Sequence, residues 1–95
     1  MLVKVMRMST GEEVIFTYIR EDDKVIEVEN PLVAVPNAQG QVGFVPYSML
    51  QKEDTTIQIG KEFVIYSCDA REDVVDNYCK IFSPIETPPA KKLIL

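Results

Sequence analysis

Nucleophilic catalysis needs a nucleophile with a base in reach, and this chain contains no histidine. Its two cysteines, Cys68 and Cys79, stand eleven positions apart without forming a C-x-x-C pair. They read as free thiols of a reducing compartment, packed as small apolar residues in or beside a helix. Carboxylates are the other source of acid–base chemistry. Asp69, Asp73 and Asp76 recur at i, i+4 and i+7, on one side of a helix, where they could hold a hard cation. The competing reading is a solvated acidic face that favours the helix dipole. It is the stronger of the two, because no D-x-D-x-D-G loop spacing accompanies the three. Asp22-Asp23 and Glu53-Asp54 read as turn residues. No glycine-rich loop leads into a helix to cradle phosphate, since Thr10-Gly11 opens a strand. The expectation is a non-enzyme, with no catalytic residue, metal or cofactor.

Binding is the alternative to catalysis. A single-stranded nucleic-acid platform wants exposed aromatics beside basic residues. Tyr18, Phe44, Tyr47 and Tyr66 are available, yet their spacing within strands fits core or interface at least as well. Fifteen Asp and Glu against ten Lys and Arg leave a net charge of −5, which repels a phosphate backbone at long range and disfavours non-specific nucleic-acid binding. No apolar run approaches the ~18 residues of a membrane helix, and Met1 to Met8, interrupted by Lys4 and Arg7, is too short for a signal peptide. These features point to the cytoplasm and away from a membrane partner.

The elements that position these residues are short strands. Val3 to Met8 is the first, and Ser9-Thr10-Gly11 supplies a turn. Glu13 to Arg20 follows, with Val14, Phe16 and Tyr18 pointing one way and Ile15, Thr17 and Ile19 the other. Both faces are largely apolar, so both are expected to be covered, as in a small barrel or an oligomer interface. Lys24 to Glu29 returns as a half-buried strand. Asn30-Pro31 interrupts it, because proline donates no hydrogen bond, and Leu32 to Val35 resumes; the pair is one sharply bent strand or two strands around a corner. Val42 to Tyr47 comes next, with Gly43 as an expected bulge and Pro46 marking an edge. Ser48 to Thr55 reads as polar and connecting. Ile57–Ile59 and Phe63–Tyr66 flank Gly60-Lys61-Glu62 in the manner of a tight hairpin. Asp69 is placed to cap a helix over about 69–82, with Glu72 completing a capping box. Val74, Val75, Tyr78, Ile81 and Phe82 give that helix its apolar face. Residues 1–83 thus form one domain. Residues 84–95 form a proline-rich tail whose Leu93-Ile94-Leu95 is expected to dock as an edge strand or against a neighbour.

The order of these elements carries a resemblance. Gly11 followed by the alternating strand from Val14 resembles the first motif of the Sm-like family. Ile57-Gln58-Ile59-Gly60-Lys61-Glu62-Phe63 resembles its second motif, an apolar strand, a glycine turn and another apolar strand. Together with Val3-Lys4-Val5, Asn30-Pro31-Leu32 and a helix near residue 82, the chain looks most like the small Sm-like proteins carried by bacteriophages, over roughly residues 2–82. The resemblance implies a mostly β fold, a strongly bent five-stranded antiparallel sheet of the Sm-like or SH3-like barrel kind with a short C-terminal helix. It implies a homo-oligomeric ring of about five to seven copies with closed symmetry, in the cytoplasm of the host cell if the gene is a phage's. It also implies single-stranded RNA as a ligand, in RNA processing or regulation. The matching positions are Asn30 and Gly60, with Lys61 supplying a neighbouring charge. In the family's pattern an arginine precedes the second glycine; here Ile59 stands there. Val42, Phe44, Tyr47, Ile57, Ile59, Phe63 and Ile65 are the expected subunit interface. There the strand Val42–Tyr47 or Ile57–Ile59 of one copy would pair with Phe63–Tyr66 of the next. The alternative is a protein-interaction or assembly module of phage origin with the same barrel and no RNA role.

Overall fold

A strand that is apolar on both faces needs two covers, and the architecture supplies them from opposite sides. The computed structural model describes residues 2–52 and 55–82. Its elements are β1 (Val3–Met8), β2 (Glu13–Glu21), β3 (Val25–Pro36), β4 (Val42–Pro46), β5 (Thr56–Gly60), a 3₁₀ turn (Lys61–Phe63), β6 (Val64–Asp69) and α1 (Glu72–Phe82). The strands form one antiparallel sheet in the order β4-β3-β2-β1-β6, with β5 also paired to β3. The molecule is mostly β with a single helix among the described residues.

On β2, Val14 and Phe16 point into one cluster with Met6, Met8, Ile26, Val28 and Ile59. Ile15 points the other way, with Val3 and Leu32, where Tyr78 of α1 covers them. All of these side chains are buried. The two-sided pattern of β2 therefore has the cause its sequence suggests: the sheet curls over its inner face, and the helix closes the outer one.

β3 is one bent strand rather than two. Opposite β2, Ile15 faces Leu32 and Thr17 faces Glu29. Two steps on β2 thus match three on β3, and the extra residue falls at Asn30-Pro31. Asn30 takes φ 52°, the left-handed conformation that asparagine tolerates better than most residues. Side chains alternate along a strand, so one inserted residue swaps faces. Ile26 and Val28 point inward before the bulge, and Leu32 faces the helix after it.

Among the described residues six strands are present where five were expected. β4 and β5 both run back along β3, from Leu32 opposite Pro46 to Glu29 opposite Thr56. That is three steps on β3 against ten on the returning chain, so the return strand is cut in two by the connection after Pro46. Gly43 lies in an unbroken ladder opposite Val35, not at a bulge. The expected hairpin across Gly60 is also absent: β5 pairs with β3, while β6 pairs with β1. Gly60 has an ordinary extended φ of −64° and starts a 3₁₀ turn. Its missing Cβ makes room for the Phe63 ring, which would stand 3.2 Å from one. The helix begins at Glu72, three residues later than expected. Asp69 is held in the ladder opposite Lys4, so it does not cap the helix. The 84–95 tail lies outside the described residues.

Candidate functional site

The residues with chemical potential are dispersed. Cys68 is exposed on β6, Cys79 is half-buried on α1, and both are free thiols. Because Asp69 belongs to β6, the three carboxylates do not share one helix side. Asp73 is instead gripped by Arg71 through two bonds of 2.9 Å; the first consequence of that grip is a carboxyl pKa below its ordinary value. Among the described residues no three His, Cys, Asp or Glu side chains converge on a metal-sized site.

The three positions matched to RNA contacts are not brought together. Asn30 occupies the β3 bulge, half-buried. Gly60 lies opposite Val25 at the far end of β3, roughly 17 Å away at strand rise. Lys61 follows Gly60, and its ammonium is already engaged. Nζ donates to Glu21 Oε2 at 2.7 Å and to the carbonyl of Asp22 at 2.9 Å. The hydrogen bond to Glu21 holds the Lys61 pKa above its ordinary value, and the same bond, helped by Tyr18, holds Glu21 below its own. Lys61 therefore fastens the 3₁₀ turn to the β2–β3 turn. That turn is itself built on the Asp22 carboxylate, which accepts from the backbone N–H groups of Lys24 and Val25.

The seven interface candidates divide by burial. Val42, Phe63 and Ile65 are more than half exposed. Phe44 packs toward the helix side, while Tyr47 and Ile57 pack against the inner core. Ile59 is a correction: its side chain is part of the inner core and offers nothing to a neighbour. Three strands have a neighbour on one side only among the described residues, β4, β5 and β6, and the exposed members sit on or beside β4 and β6, the two ends of the strand order. β4 presents Val42 and Val45, and β6 presents Ile65 and Tyr66 just after Phe63. Neither outer edge has a partner strand among the described residues, so each leaves a row of backbone N–H and C=O groups unpaired beside apolar side chains. On β6, Arg7 stacks its guanidinium 5.9 Å from the Tyr66 ring, holding that ring at the surface.

The sequence reading passes over Met49 and Leu50, which are 87% and 96% exposed. They sit in the connection from Ser48 to Thr55, which is therefore not uniformly polar. The available signal was two adjacent large apolar residues inside it.

No family model matches the chain, and no curated protein matches it.

Proposed function

We propose that this protein is a non-enzymatic self-assembly module of Sm-like type, in which a bent, SH3-like barrel joins copies edge to edge into a ring. The observation that carries the reading is that both ends of the strand order, β4 and β6, are open and apolar at once. Solvent-facing edges are ordinarily blunted by charge, proline or a covering element; here lysine and arginine are absent from both strands, and the two blunting residues present, Pro46 of β4 and Asp69 of β6, stand at the last position of each and leave the rest of the strand apolar or neutral. Because the two edges are different surfaces, β4 of one copy meeting β6 of the next is a head-to-tail contact, which closes into a ring when its rotation permits. The native mass of the purified chain tests this. A closed assembly of about five to seven copies is expected of a ring with cyclic symmetry, and a monomer at tens of micromolar would sink the proposal.

Single-stranded RNA is the second reading, favoured by the half-exposed Phe63 ring lying on Gly60 beside Lys61, an aromatic face of the kind on which bases stack. The Lys61–Glu21 pair and the acidity of the chain oppose it. Titrating a labelled uridine-rich oligonucleotide into the wild type, F63A and K61A separates the cases. Unchanged affinity in both variants removes this site from consideration.

A further inference from the structure

The edges are not the only apolar surfaces without a cover. A groove of about 310 Å³ opens on the helix side of the sheet. Its floor is Val5 and Ile15, one wall is Ala34, Val42 and Phe44, and the other is Val74 of α1. A cavity of roughly 150 Å³ is what one large aliphatic side chain leaves behind, so the groove has room for two. The same chain carries two such side chains that no described residue covers. Met49 and Leu50 are adjacent on the β4–β5 connection and almost wholly exposed.

Among the described residues, a single copy does not fill its own groove. Met49 stands near Phe82, at the C-terminal end of α1, whereas the groove opens beside Ala70, Arg71 and Val74 at the N-terminal end. The 11 residues of α1 separate the two by roughly 16 Å. Charge agrees with an intermolecular fit. Lys52 lies two residues beyond Leu50, while Asp69 stands on the groove's rim beside Glu13, which is paired with Arg7 at 3.6 Å, and Arg71, which is paired with Asp73.

We propose that the Met49–Leu50 tip of one copy seats in the groove between β4 and the N-terminal end of α1 of a second copy, with Lys52 meeting the acidic rim. This rests on the reading that the chain self-associates, and it adds a contact that backbone edge pairing does not supply.

The groove carries its own reporter, because the free thiol of Cys68 is part of its lining. In the L50C variant of the full chain, a tip seated in the groove brings a second thiol to Cys68. The measurement is the rate of covalent dimer formation, with oxidised glutathione as the two-electron acceptor, on a non-reducing gel and with native mass recorded in parallel. Q39C, on the β3–β4 turn, gives the rate for an exposed thiol elsewhere. An effective concentration of about 1 mM makes the L50C reaction about a hundredfold faster than collisional cross-linking at about 10 µM protein, and C68S in the same chain abolishes the band. An L50C rate no greater than that of Q39C, or a band that survives C68S, overturns the seating. If native mass still shows an assembly in that case, the edge-to-edge reading stands without it. A monomer with no fast cross-link removes both.

Discussion

The hydroxyl of Tyr78 meets three oxygen partners at once. Tyr78 is fully buried, and its oxygen lies 2.8 Å from Thr17 Oγ1, 3.0 Å from the Asn30 carbonyl and 3.2 Å from the Glu29 carbonyl. Carbonyls only accept, so the Tyr78 proton goes to the bulge and the Thr17 hydroxyl donates to Tyr78. Burial, partly offset by Thr17, raises the phenol's pKa. Y78F is expected to lower stability by about 1–3 kcal/mol, the cost of stripping a buried acceptor of its donor. Urea denaturation reads it, and a change below about 0.5 kcal/mol, the scatter of a neutral surface substitution, would show that the network is incidental. The Lys61–Glu21 pair makes a different claim, about pH. Glu21 is held below its ordinary value of 4.5, so its contribution is complete above that value and is lost as pH falls through the lowered folded one. Lys61 is held above 10.5, so its share is complete below that value and is lost only as pH rises past the folded one. Both groups are exposed, and the contribution is small. E21Q is expected to flatten the acid-side fall of thermal stability while leaving neutral pH nearly unchanged; an identical acid profile in E21Q and wild type contradicts the pairing.

At the scale of elements, the Asn30 bulge decides which side of β3 meets the helix. A strand that kept Asn30 in regular alternation would, by the period of two, turn Leu32 toward the inner core and Val33 toward α1. N30V, whose β-branched side chain resists positive φ, is therefore expected to lose about 1–3 kcal/mol, the cost of a left-handed backbone at a residue that disfavours it, whereas N30G, which accepts positive φ freely, is expected to stay within about 0.5 kcal/mol of wild type. Urea denaturation reads both, and an N30V variant as stable as the wild type would show that the bulge has no such role. Much of this level is legible in the sequence. The doubly apolar β2, the break at Asn30-Pro31 and most of the stripe Val74, Val75, Tyr78, Ile81, Phe82 state local facts about periodicity that the structure uses; Ile81 is the exception, left exposed at the edge of that face. Three features were hidden because they depend on pairing at a distance. Asp69 has the right chemistry for a cap, but its backbone is claimed by β1. Gly60 looks like a hairpin glycine, but it serves the packing of Phe63. The division of the return strand into β4 and β5 depends on which stretch of β3 each half finds. The candidate site was half legible for the same reason. Strand composition marks Val42 and Ile65 as apolar, but only the strand order shows that they stand at opposite open ends, and that Ile59 between them in sequence points inward.

At the scale of the whole molecule, the claim that needs testing is the polarity of assembly. A lysine on an edge strand is the usual device against edge pairing, so V42K disables the β4 edge and I65K the β6 edge. If β4 meets β6, each variant alone has one working edge of each needed pair missing, and each is expected to be a monomer by native mass. Mixed in equal amounts, they should form a dimer of one copy each, because the intact β6 of V42K meets the intact β4 of I65K and the remaining edges are both blocked. If instead β6 pairs with β6 in an isologous contact, V42K alone dimerises and adding I65K dilutes nothing. If β4 pairs with β4, I65K alone dimerises. The mixture thus distinguishes a head-to-tail chain, which can close into a ring, from a two-fold dimer, which cannot grow. The copies also repel, the natural chain carrying a net charge of −5 and each lysine variant being one unit less negative. Salt screens that repulsion over about 10 Å at 0.1 M, so the mixed dimer should strengthen as ionic strength rises toward that level. Weakening over the same range would mean that attraction between opposite charges, rather than apolar edges, holds the copies together.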